Sequence, residues 1–461
     1  MSLLGALNTG ARGLGVASAG IDVTAQNVTG ANTPGFSRRT LRTTQLDPVA
    51  SKGLWIGQGA MASSVVRSTD RLLGVRLIDA AGAEASTSTL SDTLSVAESY
   101  FDGSTATGLS EAIDKLFDAL GTASADPSDA SQRRSVVYAA EVFSGTANRV
   151  ATGLSQSLTN IEESLGANLD EVNAALEEIA ALNARIGHAG ADVGPADLLD
   201  RRDQLILDLA TRVGATAQLH ADGQAEVYVA GHAVVSGGDW REMSTGTNAA
   251  GESTITVAMD DGDFDITKGV GGAVGGLTEA RERISGWADD LDALAFTFAT
   301  AMNTQHAAGF DQSGAAGTDL FTLPTSAAGA AAAIAVTAAI SDDPSLLALA
   351  GSASALAGDG ENLAAMLDIE NDDSLFSTGT IGAASSAITA SVGSAVAAAE
   401  SDAETQSAIV GDLETLRESV SGVDTDEEAT HMLEYQSAYR AAAKVISACD
   451  ELLRTLLQIG G

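Results

Sequence analysis

Apolar residues recur at alternating steps of three and four along both ends of the chain. Near the C-terminus this heptad spacing runs without an interrupting Gly or Pro. Such spacing places the residues on one stripe of an α-helix, so it predicts a helix over Thr425–Leu457 that must bury an apolar seam. The predicted seam residues are Met432, Tyr435, Tyr439, Ala442, Ile446, Cys449, Leu453 and Leu456.

The N-terminal segment has the same seven-residue spacing. Glycines at positions 10, 13, 15 and 20 interrupt it, and each interior glycine costs up to ~1 kcal/mol of helix propensity. This helix is therefore expected to be marginal alone and stable only when packed. It ends in a dense set of turn-forming residues, Thr29–Phe36. Its predicted seam residues are Leu4, Leu7, Ala11, Leu14, Ser18, Ile21, Ala25 and Val28.

A second apolar shoulder widens the C-terminal seam into a face broad enough for two neighbours. It consists of Val445, Leu452 and Ile459. We expect both terminal helices to be disordered in the isolated chain, because their seams find partners only when copies stack. Ordering a residue costs ~1–2 kcal/mol of backbone entropy, which unpartnered helices do not recover.

The interior of the chain is mostly helical by the same test. One predicted helix, Ser128–Leu182, is very long and carries a narrow stripe, which is typical of long antiparallel bundles. A short helix is predicted at Pro344–Ala350, within a loop-rich segment. The other predicted helices are Leu72–Tyr100, Leu109–Ala123, Ala196–Arg212, Leu277–His306 and Ile381–Val420.

Residues 215–267 change from a helical to a β pattern. Asp-Gly pairs at Asp222 and Asp261 predict hairpin turns there. The glycine-rich run Gly269–Gly276 is expected to connect this β-rich insertion to the next helix. The predicted extended segments are 37–46 and 54–66 near the N-terminus, and 226–230 and 254–259 in the insertion.

These elements predict a mainly α fold with a β-rich insertion. Terminal heptad helices and a long antiparallel helical bundle carry a small outer β domain. The predicted divisions are residues 1–45 with 421–461 as a terminal coiled-coil core, residues 46–214 with 277–420 as a long-helix bundle that is loop-rich near 306–380, and residues 215–276 as the outer insertion.

Composition limits the possible partners. The chain has 461 residues, 62 Asp and Glu against 24 Lys and Arg, and a net charge of −38. Such a polyanion is repelled by nucleic acid and by anionic lipid, so neither partner is expected. No stretch resembles a transmembrane span, and the N-terminus lacks a signal-peptide pattern. The single cysteine, Cys449, lies on the predicted seam, where packing is expected of it.

No catalytic, cofactor-binding or metal-binding residues are predicted, and the chain is not expected to be an enzyme. The histidines are expected in surface or loop positions, because they are too scattered for a metal site. Asp261–Asp265 lacks the sixth-position Gly and twelfth-position Glu of a calcium loop. The charged run Asp200–Asp203 is expected to be an ordinary salt-bridged helix face, in which each ion pair contributes little. The five histidines are His188, His220, His232, His306 and His431.

The end of the first helix resembles a motif of the bacterial flagellar axial proteins, which form the rod, the hook and the hook-associated structures. In that family an Ala-x-Asn-(apolar)-x-x-x-Asn-Thr-Pro-Gly-(aromatic)-x-Arg pattern ends the first helix. Here it is Ala25-Gln-Asn-Val-Thr-Gly-Ala-Asn-Thr-Pro-Gly-Phe-Ser-Arg38, and its motif residues are Asn27, Asn32, Thr33, Pro34, Gly35, Phe36 and Arg38.

Three further matches narrow the resemblance to the hook-associated members of this family. They are the segment 197–206, the pair Asn303-x-x-His306-x-x-Gly309-Phe-Asp311 and Gly317-x-x-Leu-Phe321, and the segment 426–446. Together they span nearly the whole chain in family order. The chain is short for this family, so one outer domain is expected to be reduced or missing.

The resemblance implies a structural role at the hook–filament junction. Subunits would form a ring on the distal end of the hook and serve as an adaptor for further axial proteins. It also implies that the terminal core, 1–45 with 421–461, is a coiled-coil polymerisation core. The interface residues implied are Leu4, Leu7, Leu14, Ile21, Val28, Met432, Tyr435, Tyr439, Ile446, Cys449, Leu453 and Leu456.

The resemblance further implies type III export without a cleaved signal peptide, and an extracellular place in the flagellum. The implied partners are other copies of the chain, the hook protein, a second hook-associated junction protein, and a flagellar export chaperone on the C-terminal segment. Two alternatives stay open at this point. One is a hook or distal rod subunit, and the other, from a different class, is a secreted adhesin.

Overall fold

The computed structural model describes residues 3–51, 54–101, 108–189, 195–220, 222–248, 253–260, 262–354, 356 and 358–460. Long helices dominate it, and the predicted mainly α fold with a β-rich insertion is confirmed. The helices are α1 (Leu3–Gly30), α2 (Arg71–Glu98), α3 (Leu109–Ala123), α4 (Ala130–Ala189), α5 (Ala196–Val213), α6 (Gly272–Ala308), α7 (Ala330–Ala333), α8 (Ala338–Asp342), α9 (Glu361–Asp368), α10 (Ile381–Ser421) and α11 (Thr425–Gly460), with 3-10 turns at Pro344–Leu346 and Ile369–Asn371.

The strands form small antiparallel sheets. After α1, β1 (Arg39–Gln45) pairs with β4 (Ala60–Arg67), and β2 (Val49–Ser51) pairs with β3 (Leu54–Ile56) between them. The insertion holds a four-stranded sheet in the order β5-β6-β7-β8 and a three-stranded sheet in the order β11-β10-β9. Its strands are β5 (Thr216–Leu219), β6 (Ala225–Val229), β7 (His232–Ser236), β8 (Asp239–Trp240), β9 (Met243–Thr247), β10 (Ser253–Met259) and β11 (Gly262–Asp265), and a further pair is β12 (Phe321–Thr322) with β13 (Ala335–Val336).

The contacts divide the chain into two compact units. The first comprises Met1–Ala85, Asn168–Gly275 and Thr405–Gly461, and the second comprises Ser86–Ala167 and Gly276–Glu404. In this division the β-rich insertion falls in the same unit as the two chain ends. The three-part division drawn from the sequence stays a prediction.

An aromatic cluster lies in the core of the second unit, although aromatic residues are scarce. Phe298 of α6 meets Phe143 of α4 and Phe117 of α3 edge-on, with ring centroids 5.1 and 5.9 Å apart. Phe321 of β12 lies 6.0 Å from Phe143. Such pairs contribute about 0.5–1.5 kcal/mol beyond the area they bury. They tie the β12 segment to the long helices.

His306, near the end of α6, is fully buried, which corrects the expectation that the histidines occupy surface or loop positions. Its Nδ1 donates to the Thr318 carbonyl, and its Nε2 accepts the Ala348 N–H at 2.9 Å. Burial lowers the pKa of His306, so the ring is held neutral. One turn earlier, Asn303 exchanges two 2.7 Å hydrogen bonds with the backbone of Phe321. These side chains fasten the loop-rich segment onto α6.

Two element predictions were wrong. The run Gly269–Gly276 is not only a connector, because α6 begins at Gly272. A Cβ on Gly276 would lie 2.3 Å from the Ser86 carbonyl oxygen, so glycine allows α6 to approach α2 closely. At Pro344–Ala350 only a short 3-10 turn forms, because the segment then turns extended and Ala350 bridges Phe310.

The expectation that no stretch resembles a membrane span also needs correction. Within Ile381–Gln458 an 18-residue window has a mean hydropathy of 1.4, which is enough to cross a membrane by length and composition alone. The first half of α10 buries Ile381, Ile388, Val392 and Val396 in the protein. An apolar composition of this kind is therefore also found in a helix that packs within a protein.

Candidate functional site

The two terminal helices, α1 and α11, pack against each other at glycines of α1. A Cβ on Gly20 would lie 2.5 Å from the ring of Tyr435, which no real Cβ contact allows. A Cβ on Gly10 would lie 3.1 Å from Cγ1 of Ile446. The side chains of α11 thus enter gaps that only glycine provides. The expectation that the seams lack a partner in the isolated chain is corrected, since each helix finds the other.

The predicted seam of α11 faces α1 over most of its length. Cys449 is buried, and Tyr439 and Leu456 are the seam residues left more than a third exposed. The other predicted interface residues of α11 are half-buried, namely Met432, Tyr435, Ile446 and Leu453. The spacing thus identified the side of α11 that packs on α1 within the chain, and the role of these residues as an interface between copies stays a prediction.

On α1 the buried face is rotated from the predicted seam by one residue. Five of the seven buried positions lie one residue before a predicted seam residue; the seven are Gly10, Ala17, Gly20, Val23, Thr24, Asn27 and Gly30. Leu7, Leu14 and Ile21 are half-buried, whereas Leu4 and Val28 are exposed. Heptad spacing counts apolar side chains, whereas three of the buried positions are glycines, which have none.

The helix pair leaves large apolar side chains in solvent. Leu452 is 55% exposed and Val445 45%, so α1 covers the second shoulder of α11 only in part. The side chain of Ile459, its third member, lies outside the described residues. The other exposed apolar residues of the pair are Leu4, Val28, Leu433, Tyr439, Leu456 and Leu457.

The motif residues build the turn from α1 into β1. Asn27 is 1% exposed, and its amide exchanges two 2.9 Å hydrogen bonds with the backbone of Arg39. The Phe36 ring packs against Gly30, where a Cβ would come within 2.5 Å of it. The Arg39 guanidinium lies 4.7 Å from the centroid of the same ring. The motif therefore fixes the direction in which the chain leaves the helix pair.

The remaining motif residues shape the turn itself. Gly35 has a φ of +78°, and a Cβ there would meet the Gln204 side chain of α5 at 2.6 Å. The N–H of Phe36 donates to the carbonyl of Thr33 at 3.1 Å. Asn32 and Pro34 lie exposed at the surface of the turn.

Arg38 joins the N-terminal motif to the start of the last helix. Its backbone N–H donates to the carbonyl of Ser421 at 3.0 Å. Its guanidinium contacts Glu428 at 2.9 Å and Glu427 at 3.1 Å. Burial works to lower the pKa of Arg38, but hydrogen bonds with Glu427 and Glu428 outweigh it and raise that pKa. Glu428 is only 2% exposed, so this contact is a buried latch.

A second ionic cluster holds the β1–β4 hairpin to α5. Asp200 accepts from Arg67 at 2.9 Å and from Arg39 at 3.3 Å, and Arg67 also contacts Asp203 at 2.8 Å. Asp197 is a further partner of Arg39. The helix face is salt-bridged as expected, but it is not an ordinary one, because Arg39 and Asp200 are both under 10% exposed.

Sequence reasoning missed these partners because no local pattern contains them. Arg39 and Asp200 are separated by 161 positions, and Arg38 and Glu428 by 390. Arg202 is 2% exposed and donates to the Gly223 carbonyl of the insertion. Among the residues that the structure describes, no three side chains that bind metals come together.

Paired terminal helices with an uncovered apolar face indicate a protein that assembles with further chains, as the resemblance to the axial structural proteins implies. Comparisons with known proteins agree with this class. Residues 94–321 match the family described as flagellar hook-associated protein FlgK helical domain. Residues 417–459 match the family described as flagellar basal body rod FlgEFG protein C-terminal. This second match covers most of the C-terminal helix, and it contains the segment 426–446 on which the resemblance partly rests.

Relatives over the whole length narrow the class. Flagellar hook-associated protein 1 of Escherichia coli is 24% identical, with 98% of this chain and 99% of that protein covered. The Bacillus subtilis protein of the same name is 27% identical, with 99% and 98% covered. The structure of the flagellar hook junction protein FlgK from Burkholderia pseudomallei has the same fold, with a TM-score of 0.66, 17% identity, and coverage of 75% of this chain and 100% of that one.

The chain belongs to the flagellar hook-associated protein 1 family and is a structural component of the bacterial flagellum. The alternatives of a hook or distal rod subunit and of an adhesin are not favoured. The alignment with the Escherichia coli relative runs over 551 residues, more than the 461 of this chain. That relative therefore contains segments without a counterpart here.

Proposed function

We propose that this chain forms the junction ring between hook and filament and serves there as an adaptor for further axial proteins. The observation that carries the proposal is the α1–α11 pair. It is fixed at its base by Arg38 and Glu428, and it leaves apolar side chains along its length uncovered. An apolar face of this kind marks a protein–protein contact site. Copies of the chain stacked side by side would cover it.

The proposed polymerisation interface has two parts. The seam residues of α11 and the glycines of α1 build the pair inside each subunit. The exposed residues, among them Leu4, Val445, Leu452 and Leu456, face neighbouring subunits. The broad apolar face of α11 therefore has two partners. Its seam packs on α1 of the same subunit, and its exposed residues contact neighbouring subunits.

The proposed partners follow from the place of the ring. The hook protein lies below it, and a second hook-associated junction protein binds above it. The chain reaches this extracellular place through the flagellar type III apparatus without a cleaved signal peptide, and an export chaperone covers the C-terminal segment beforehand. Uncovered apolar residues on α11 support a chaperone contact, because exposed apolar surface of this kind aggregates in the cytosol. No catalytic role is proposed.

Deletion of the gene in the source organism tests the proposal. Electron microscopy should show complete hooks that lack filaments, and unassembled flagellin should appear in the medium. Re-expression of the chain should restore attached filaments. Normal filaments on the hooks of the deletion strain would refute the proposed function, and absence of complete hooks would point to a hook or rod subunit instead.

A further inference from the structure

A cavity of about 350 Å³ lies beside the turn from α1 into β1, within the first unit. Its apolar walls come from this turn, from the start of α2 and from α5. They are formed by Phe36, Leu73, Leu77, Ile206 and Leu207. Val75 of α2 also lines the cavity and is 42% exposed, so the cavity opens at the protein surface. Apolar pockets of this size with a few polar groups are typical of binding sites.

Three arginines line the same cavity, and two of them have no acidic partner. Arg67 is paired with carboxylates of α5. Arg71, at the start of α2, donates to a carbonyl of β5, and Arg417 of α10 is half-buried. Within the part of the chain that the structure describes, neither of these two guanidinium groups makes an ion pair. Both aspartates at the cavity are engaged, Asp203 with Arg67 and Asp70 with the N-terminus of α2.

An apolar cavity with guanidinium groups at its edge can bind an aromatic ring, because the ring fills the apolar space and its face attracts cations. Tryptophan is the aromatic side chain that binds cations best. Tryptophan and arginine are also the residues most enriched among those that dominate protein–protein contacts. The chemistry of the cavity therefore indicates an exposed indole as its occupant.

The chain itself presents such an indole. Trp55 is 75% exposed and is the most exposed aromatic side chain among the residues that the structure describes. It lies on β3 at the tip of the hairpin, where it pairs with Ala50 of β2. By contrast, Trp287 is 5% exposed in the second unit. An indole left in solvent at the end of a hairpin is placed to enter a pocket of another molecule.

Trp55 does not reach the cavity of its own chain. Gly59 lies at Thr9 of α1, where a Cβ on the glycine would come within 3.2 Å of Cγ2. Phe36, at the cavity, packs on Gly30. Thr9 and Gly30 are 21 residues apart on α1, about 31 Å at the helical rise. The four residues from Gly59 to Trp55 span at most about 14 Å. The gap that remains is longer than an indole.

We propose that the Trp55 indole of one copy enters the cavity of the next copy and lies there against Arg71 and Arg417. The inference rests on the proposed function and names one contact of that assembly. Hairpin tip and cavity are different patches of one chain, so the contact is heterologous, and its repetition builds a ring or a helix. The tip lies beside the start of α1 and the cavity beside its end. The contact therefore joins opposite ends of the α1–α11 pair in successive copies, and it continues the proposed polymerisation interface.

Thiol cross-linking in assembled flagella tests this contact. The parent chain carries Cys449→Ala and must first restore filaments in the deletion strain. Ala50→Cys, beside Trp55, and Thr69→Cys, at the exposed edge of the cavity, are then introduced separately and together. Purified flagella are treated with a short thiol cross-linker. The doubly substituted chain should form a ladder of dimers and larger oligomers, because thiols held next to each other react at a high effective concentration. Each single variant should stay monomeric.

Substitutions at the contact show whether the indole is responsible for the ladder. Trp55→Ala should reduce the ladder of the doubly substituted chain by at least about tenfold, as expected for the loss of a central anchor, and Trp55→Phe should retain most of it. Arg417→Gln should also reduce the ladder, whereas Arg417→Lys should retain most of it, because an ammonium group also binds a ring face. The matched control is Tyr138→Ala, which removes an aromatic side chain that is 68% exposed in the second unit and should leave the ladder unchanged.

Thermal unfolding of the purified Trp55→Ala chain should equal that of the parent, because the indole is exposed in the single chain. Loss of attached filaments in Trp55→Ala, with unfolding unchanged and filaments kept in Tyr138→Ala, would also support the contact. If the parent restores filaments but the doubly substituted chain gives no ladder, the inference alone is overturned. A ladder that persists in Trp55→Ala, dimers from a single variant, a cross-linked monomer, or a product with another protein would also overturn it. A parent chain that does not restore filaments would refute the proposed function and this contact together.

Discussion

Glycine has opposite effects at different positions of α1. At Gly15 nothing lies within 4 Å of a Cβ built on the backbone, whereas at Gly20 the Tyr435 ring occupies that space. Glycine costs helix propensity at both positions, but only at Gly20 does packing require it. The sequence marks both residues only as interruptions of a helix. What distinguishes them is the partner helix, which lies more than 400 positions away in the chain.

Alanine substitutions should separate these two effects. Gly15→Ala should stabilise α1 by up to ~1 kcal/mol, because alanine loses less backbone entropy. Gly20→Ala should destabilise the pair by about 1–3 kcal/mol, the usual cost of overpacking, despite the same gain in propensity. Hydrogen-exchange mass spectrometry should show faster exchange in both α1 and α11 for Gly20→Ala only. Equal exchange in the two variants would contradict the packing at Tyr435.

The Arg38 latch makes a second prediction at the level of residues. Arg38→Ala leaves the carboxylate of Glu428 buried without its partner, which should cost about 1–3 kcal/mol. The chain with both Arg38→Ala and Glu428→Gln should lose less than the two single variants added together, because the neutral amide needs no cation. Hydrogen-exchange mass spectrometry of the first turns of α11 measures this loss of stability. Arg440→Ala, on an exposed part of α11, is the control and should leave it unaffected. Additive losses would show that the two side chains do not interact.

At the level of elements, spacing alone located the long helices well. The predicted helix Leu109–Ala123 has the observed bounds, and the predicted start of the last helix, Thr425, is also observed. Long apolar stripes determine such elements locally, so a single sequence is sufficient. The start of α6 was missed because three of its first five residues are glycines, which form no apolar stripe, and Gly276 allows this end to pack closely on α2.

The residues of the functional site could likewise be predicted from the sequence only in part. The motif from Asn27 to Arg38 was visible because its residues lie together and match a known pattern. The charges that hold it, Asp200 and Glu428, come from helices far along the chain and carry no mark of their own. Burial of these charges depends on the tertiary structure, which periodicity does not contain.

The loop-rich segment after α6 depends on a neutral histidine, and this gives a prediction for pH. Burial lowers the pKa of His306 in the folded chain, so below the ordinary histidine value the unfolded chain binds more protons than the folded one. Stability should therefore fall as the pH drops through about 6.5, the pKa of an unperturbed histidine. His306→Gln should lower stability at neutral pH and flatten this dependence. Thermal unfolding of the full chain between neutral and mildly acid pH measures it.

The matched control for this measurement is His188→Gln, because His188 is exposed on α4. That variant should keep both the stability and the pH dependence of the parent chain. If His306→Gln and the parent lose stability in parallel as the pH falls, carboxylates rather than His306 would be responsible.

At the scale of the whole molecule, charge is unevenly distributed along the chain. Residues 1–76 contain eight basic and three acidic residues, and the remaining 385 contain sixteen and fifty-nine. Several of the early arginines neutralise carboxylates of α5 and α11 within the chain. The rest of the molecule keeps its negative charge, and copies brought together in a ring must repel each other.

Two electrostatic effects oppose each other when this chain assembles, and their size decides the effect of salt. Exposed ion pairs between copies contribute about 0.2–1 kcal/mol each and weaken as salt is added. Repulsion between copies of net charge −38 acts over the whole surface, and its range falls from about 30 Å at 0.01 M salt to about 3 Å at 1 M. Since repulsion involves many more charges than the few pairs, NaCl should promote assembly.

Sedimentation of the purified full chain across this range should show more polymer at higher salt. Sucrose at equal osmolality is the control, because it strengthens apolar burial without screening charge. Polymer that dissolves as NaCl rises would show that attractive ion pairs between copies dominate over the net charge.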